Sequence, residues 1–372
     1  MRTHVRPLPL HEFPLWDVMR RKKGYFTFDL ELTARCNNDC RHCYINLPAG
    51  DRDAEAAELT LREIDGIASQ AASTGVFWCL ITGGEPLLRK DFPEAYVLLK
   101  KKGFLVSVFT NATLVSPDHI KLFKVYPPHK VEVTVYGVTA PTYEAVTRKK
   151  GSFAAFMNGM GLLRENGIPI VLKAIAIRSN VHELPAIAEF ARIWSSELFR
   201  YDPMLHLRYD GNPSRNREIA AERLDPEEIV TLERKDPERF EALKKGCDVL
   251  IRPEFEGIRC THLFHCSTGK RSFVVGPDGR FRPCASLQHP GCTFDLRKGT
   301  LAEALRTVPG VRRMKSRRKE FLENCRICPY INLCLWCPAH AHLEFGELDR
   351  RVPFFCAVAH ARARGLDKRE TT

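Results

Sequence analysis

The feature that most constrains the fold is a repeated alternation of strand-like and helix-like segments through the first two thirds of the chain. Residues 25–33 set Phe26, Phe28, Leu30 and Leu32 against polar partners, the period of a half-buried strand. Thr60 and Glu63 then form a capping box and Leu59 and Ile64 a hydrophobic staple, so a helix is expected to about Ser73, with Gly75 just beyond it. An apolar strand at 76–82, a helix near 92–102, a strand at 104–110, a helix near 117–125 and a strand at 131–136 continue the series. Ser152 is placed to cap a helix that reaches Asn166 and stops at Gly167. A fifth strand at 168–177, a helix near 184–194 and a sixth strand near 205–209 complete it. Units of this kind predict a parallel sheet with crossover helices. Fewer than eight of them leave a barrel open on one side. The expected fold class is therefore α/β, an open partial (β/α)6 TIM-like barrel followed by a C-terminal cysteine-rich domain, with functional residues at the C-terminal strand ends.

The 372 residues are enough to bury a core without covalent staples, and 44% hydrophobic with 27% charged residues is ordinary for a soluble globular chain. The first residues lack the apolar core of a signal peptide, and no segment approaches the length of a membrane span. Fourteen cysteines without a secretion signal point to metal or redox chemistry in a reducing compartment, the cytoplasm, rather than to disulfides. The net charge of +12 would suit an anionic partner, but cluster-bound thiolates would cancel part of it, so it is no argument for nucleic acid or membrane binding. Composition divides the chain into an N-terminal extension (1–24), the barrel (25–210), a charged helical linker (211–257) and a second, metal-organised domain (258–372). Nine of the fourteen cysteines lie from Cys260 onward.

Cys36, Cys40 and Cys43 follow directly on the first strand. Three thiolates within eight residues can hold three corners of a cubane iron–sulfur cluster and leave the fourth iron open. Zinc is the alternative, with His42 as a fourth ligand, although that histidine is wedged between the cysteines in sequence. Cys-x3-Cys-x2-Cys followed by an aromatic, here Tyr44, resembles the signature of the radical S-adenosylmethionine (SAM) superfamily. The resemblance implies a 4Fe–4S cluster that chelates S-adenosylmethionine, and reductive cleavage to a 5′-deoxyadenosyl radical that abstracts hydrogen from substrate. Gly83-Gly84-Glu85-Pro86, past the second strand, resembles the family's glycine-rich loop, whose glycines let the backbone approach the methionine moiety. Glu85 or backbone carbonyls would accept from its ammonium group. Thr110-Asn111 resembles the family's polar pair near the cofactor, and Thr134 falls where relatives place a serine on the methionine carboxylate. Lys173 could meet a carboxylate, though an exposed strand lysine is the simpler reading.

The later cysteines run Cys260-x5-Cys266, Cys284, Cys325-x2-Cys328-x5-Cys334-x2-Cys337 and Cys356. Eight thiolates suit two fully ligated 4Fe–4S clusters, or a pair of zinc ribbons. The arrangement resembles the SPASM domain, the auxiliary-cluster extension of radical enzymes that modify peptides and proteins. By that resemblance Cys260, Cys266, Cys284 and Cys337 hold one auxiliary cluster, and Cys325, Cys328, Cys334 and Cys356 the other. Two departures stand out. Relatives have three residues between the cysteines matching Cys334 and Cys337, where this chain has two. Relatives that oxidise sulfatase side chains carry an aspartate where this chain has Ala285, so that activity is not assigned. Cys79 reads as a core residue, and Cys247 and Cys292 stay unassigned. His262, His265 and His289 read as surface histidines, and Arg312 to Lys319 as a solvated helix face.

The expected function is a radical SAM oxidoreductase acting on a peptide or protein side chain. It would be supplied with electrons by a donor such as flavodoxin or ferredoxin. Two alternatives remain: a radical SAM enzyme for a small molecule such as a tetrapyrrole or cofactor precursor, and a non-catalytic iron–sulfur or zinc protein. Only about 24 residues precede the first strand, which leaves no room there for a leader-recognition domain, so peptide delivery is expected through a partner. Tyr136, Arg208 and Asp210 are candidates for proton transfer only because they fall near strand ends.

Overall fold

The computed structural model describes residues 24–195, 197, 199–237, 240–241 and 261–366; Cys247, Cys260 and the extension expected over 1–23 lie outside them. Six parallel strands make the barrel wall: β1 (Thr27–Thr33), β2 (Trp78–Gly83), β3 (Leu105–Thr110), β4 (Val131–Thr134), β5 (Ile170–Ile175) and β6 (Arg200–Asp202). The C-terminal region adds β7 (Ser272–Val275), β8 (Arg280–Arg282) and β9 (Phe294–Asp295). Among the described residues these nine form one sheet in the order β9-β8-β7-β1-β2-β3-β4-β5-β6. β7 runs parallel to β1, in the register Thr27 to Ser272 and Leu30 to Val275. The expected open barrel is therefore present, and the cysteine-rich region continues its sheet rather than standing apart.

The helices form where their caps specify. Thr60 and Glu63 close the capping box of Leu61–Ser73, and helices at Phe92–Lys101, Pro117–Val125 and Leu184–Trp194 match expectation. Ser152 does not cap its helix. It is the first helical residue after Gly151, and its hydroxyl is spent on Thr147 Oγ1 at 2.7 Å. The sixth strand lies before its expected place. Leu205 and Leu207 are buried, but Pro203 has no N–H for the ladder and pairing ends at Asp202. The chain then crosses the barrel mouth, where Tyr209 N donates to Tyr44 O at 3.0 Å. The charged stretch expected as a linker carries the helices Pro213–Glu222 and Pro226–Lys235. Both are tied to the body, by Ser179 to Glu222 at 2.6 Å and by Arg362 to Glu233 at 2.7 Å.

β1 shows how the sheet divides its faces. Phe28, Leu30 and Leu32 are buried under the helices, and Phe28 lies 5.4 Å from Phe104 and 5.5 Å from Phe273 of β7, so one ring joins N- and C-terminal regions. The polar residues between them do not face water. Glu31 and Thr33 are buried, and Asp29 senses the charges of Glu132 on β4 and Lys173 on β5, which places these residues on the concave face. Burial first, then Glu31 and Glu132, push the Asp29 acid up to about 6. Lys173 is not a free surface lysine: it pairs with Glu132 and lies 5.1 Å from the Phe109 ring centre.

Glu31 also meets Arg282 of β8, Nη2 to Oε2 at 2.5 Å, with both side chains buried. Removing one member of such a pair strands a charge away from water. Arg282→Met should cost about 3–5 kcal/mol in chemical denaturation. Glu31→Leu combined with Arg282→Met should recover most of that loss.

Candidate functional site

The site is built at the C-terminal ends of β1, β2 and β3. Cys36, Cys40 and Cys43 lie on the loop that leaves β1, close enough that Cys36 senses the charge of Cys43 and Cys40 senses both of the others. Backbone N–H groups already aim at them: Asn38 N donates to Cys36 Sγ at 3.4 Å and Asn46 N to Cys43 Sγ at 3.3 Å. Burial, followed by Glu85, pushes the Cys36 thiol up to about 12, and burial with the neighbouring sulfurs raises Cys40 as well. A metal that displaces these protons removes the cost of buried bare thiolates. Among the described residues, no three His, Cys, Asp or Glu side chains converge on the position of a single ion. A cubane presents separate irons, so thiolates that stand apart suit it. The amide of Asn38 and Nδ1 of His42 are buried without hydrogen-bond partners, polar groups that a bound cofactor could satisfy.

The glycine loop is joined to the cysteine loop from below. Gly83 has φ +135°, and a Cβ there would stand 2.2 Å from Thr33 O. A Cβ on Gly84 would stand 2.3 Å from Arg35 O and 2.6 Å from Ala34 O. Gly84 N and Glu85 N donate to Thr33 O and Arg35 O at 2.7 and 2.9 Å. The backbone that these glycines admit so closely is the chain's own run-in to Cys36. The Glu85 carboxylate is buried and accepts from Thr110 Oγ1 at 2.7 Å, Asn111 N at 2.8 Å and Leu87 N at 3.0 Å. Pro86 is buried at the start of the following 3-10 turn. Asn111 then reaches Asn37 Oδ1 at 3.0 Å and lies 3.7 Å from Cys36 Sγ. Thr134 ends β4 on the same rim.

Aromatic groups surround the cysteines. Tyr136 is buried with its hydroxyl hydrogen-bonded to the Cys40 sulfur, and its ring centre lies 5.2 Å from His42. Burial pushes His42 down to about 4. The Tyr44 ring packs 4.7 Å from Tyr209 and 6.1 Å from His206, whose ring lies 4.1 Å from His340. Sequence reasoning did not single out Tyr209, His206 or His340, since nothing local in sequence marks them. Arg208 and Asp210 pair with each other at 2.6 Å, and Arg208 also donates to Asn46 and to Cys43 O. They brace the cysteine loop rather than stand free for proton transfer.

The later cysteines fall into two sets. Cys325, Cys328, Cys334 and Cys356 line one cavity of about 140 Å³. Cys337 instead neighbours Cys284 and Cys266, although only two residues separate it from Cys334. It caps the helix Pro338–Phe345, with its sulfur accepting from His340 N at 3.4 Å, and this turn parts the two thiols. Cys79 is a buried core residue, and buried Cys292 lies 3.8 Å from Met314 Sδ. His265 is exposed, whereas His289 is half-buried with its ring 4.9 Å from that of His342. The expected solvated helix face at 312–319 is mostly not helical: the helix ends at Arg312, and Lys315 bridges to His262.

Residues 30–191 match the Radical SAM superfamily. The AdoMet-dependent heme synthase of Methanosarcina barkeri is 23% identical, over 87% of this chain and 94% of that protein. PqqA peptide cyclase of Xanthomonas euvesicatoria is 25% identical over 74% of this chain and 72% of that one. The structure of Streptococcus suis SuiB bound to the precursor peptide SuiA has a TM-score of 0.65 at 13% identity, covering 90% of this chain and 77% of that one. Residues 30–191 form a radical SAM domain, and the likeness to SuiB shows a shared fold over most of the chain. No helix among the described residues is long and apolar enough to cross a membrane.

The buried Glu85 gives the site a pH signature. Burial pushes its acid up to about 7, against three hydrogen bonds that lower it. A folded-state value above the unfolded one stabilises the fold at low pH, and that contribution is lost as pH rises through about 7. Thermal midpoints of the metal-free protein should fall between pH 5 and 8 relative to Glu85→Gln, which should lack this component of the slope.

Proposed function

We propose that the chain is a peptide-modifying radical SAM oxidoreductase, with Cys36, Cys40 and Cys43 holding the cluster that binds S-adenosylmethionine. The observation that carries this reading is the gathering of these three thiols beside Asn111 and the Gly83-Gly84 shelf. With its cofactors bound, such a site supplies one electron to the sulfonium and yields a 5′-deoxyadenosyl radical that removes a hydrogen atom from substrate. In this reading the chain supplies position. Asn111 and the backbone N–H groups of Asn38 and Asn46 steady the sulfurs, and Tyr136 donates to Cys40. Tyr44 and Tyr209 wall the site on the side of the C-terminal region, and the rim at Thr134 faces the methionine moiety.

The two later thiol sets suit two auxiliary clusters, one held by Cys266, Cys284 and Cys337 together with Cys260, the other by Cys325, Cys328, Cys334 and Cys356. A second iron–sulfur pair near the site favours oxidative or bond-forming chemistry, because the electron left on the substrate has somewhere to go. The peptide class follows from the likeness to a peptide cyclase. The likeness to a heme synthase over most of both chains favours a tetrapyrrole as the second reading. A reducing cytoplasm, which keeps the thiols free, and a donor such as flavodoxin or ferredoxin complete the proposal.

Anaerobic reconstitution should give about twelve irons per chain, four for each of three cubanes. With dithionite and S-adenosylmethionine it should release 5′-deoxyadenosine. Cys43→Ala should lower that product at least about a hundredfold, and an alanine variant that still made the nucleoside would overturn the proposal. A mass change in a candidate precursor peptide supports the first substrate class. Turnover of a tetrapyrrole with no peptide product selects the second.

A further inference from the structure

Three guanidinium groups, from three separate elements, converge on backbone carbonyls of the Cys36–Cys43 loop. Arg148, at the C-terminal cap of the helix Ala140–Thr147, donates from Nε to Asp39 O at 2.8 Å. Arg215, on the helix Pro213–Glu222, donates from Nη2 to Cys40 O at 3.0 Å. Arg208, after β6, donates from Nη1 to Cys43 O at 3.3 Å and to Asn46 Oδ1 at 2.9 Å, and from Nη2 to Asn46 O at 3.1 Å.

Each arginine has a carboxylate partner, and the pairs are ordered by depth. Arg208 meets Asp210 at 2.6 Å, with side-chain exposures of 4% and 44%. Arg215 meets Asp39 at 3.0 Å, with 17% and 61%. Arg148 meets the same Asp39 at 3.2 Å, with 24% against its 61%. The cations lie inside against the loop and the anions outside in water. Glu218 beside Arg148 and Arg215 brings the count to three cations and three anions, and because water screens the outer charges more than the inner ones, this formally neutral network leaves a positive field on the cysteine side.

We propose that Arg148, Arg208 and Arg215 are positioning residues that raise the reduction potential of the cluster on this loop, by compensating the charge it gains on reduction. The inference rests on the reading that Cys36, Cys40 and Cys43 hold that cluster. Cluster potentials respond to net charge and exposure, and a guanidinium held against the ligand loop, as Arg208 is on Cys43 O, alters both. Any residue that filled the space could brace the loop. Only a charge can move the potential in opposite directions when either partner of a pair is neutralised.

The test is a potentiometric titration of the reconstituted holoenzyme, followed through the electron paramagnetic resonance signal that changes when S-adenosylmethionine is added. Arg208→Gln should shift the reduced-to-oxidised ratio at a fixed potential about tenfold toward the oxidised form, which is about 59 mV for a one-electron couple. Asp210→Asn should shift it the other way by less, since its charge is the better screened. Arg208→Lys, which keeps the charge and loses the fork, should stay nearer the wild type than Arg208→Gln. An Arg208→Gln protein with the signal intact and the potential unmoved overturns the proposal, as does an Asp210→Asn shift toward the oxidised form. If Arg208→Gln does not retain iron, Arg215→Gln and Asp210→Asn decide by the same opposition of sign. A wild type with no S-adenosylmethionine-sensitive signal defeats the cluster assignment itself, an outcome distinct from a signal whose potential ignores these charges.

Discussion

The site depends on how closely two backbone segments approach at the top of β1 and β2. Gly83 and Gly84 lie against Thr33, Ala34 and Arg35 with no room for a side chain, and two hydrogen bonds close the contact. That contact fixes where the chain emerges toward Cys36. Glu85, the next residue, turns inward and ties the end of β3 through Thr110 and Asn111. Asn111 in turn reaches Asn37 and the Cys36 sulfur. One continuous set of hydrogen bonds thus runs across three strand ends to a sulfur. A buried carboxylate that receives three such bonds is costly to disturb, because its donors would lose their partner as well.

Much of this was legible before any coordinates. Strands and helices with strong periodicity and explicit caps fell where Thr60, Glu63, Gly75 and Gly167 put them. The cysteine spacing and the glycine loop marked the site, because their chemistry depends on residues close in sequence. What escaped depends on contacts between distant residues. The sixth strand was expected near 205–209, but the ladder stands earlier and ends before Pro203. The hydrogen bonds by which Glu85 ties the end of β3 were not legible either, since sequence cannot say which way a carboxylate turns. Arg215 sat in a charged stretch that looked like a linker, yet one of its nitrogens meets a carbonyl 175 positions earlier in the chain. A polar face on β1 looked solvent-facing, because alternation alone does not separate water from the inside of a barrel.

The basic excess has a comparable history. The net charge of +12 was weak evidence for any partner outside the molecule. A good part of the arginine complement points inward instead. Arg35, Arg89, Arg208, Arg282, Arg326 and Arg362 are buried, and donate to carboxylates or main-chain oxygens. An arginine offers five donors in a fixed fork, so it can satisfy several loop carbonyls that no regular ladder reaches. A barrel rim made of long connecting segments has many such carbonyls.

The C-terminal region is held to the barrel by the same devices, which bears on how the two thiol sets relate to the first. β7 pairs with β1, Phe273 stacks on Phe28, and Arg282 reaches Glu31, all on the strand that leads into the Cys36 loop. Arg282 stands two residues before Cys284, and Glu31 five before Cys36. Tyr209 lies between them, with Tyr44 on one side and Arg282 5.7 Å from its ring centre on the other. The distance from the first thiol set to the second is therefore set by a ladder register, a buried ion pair and an aromatic contact, none of which slides easily. A flexible tether between the two regions would let that distance vary. Building both onto one continuous sheet fixes it.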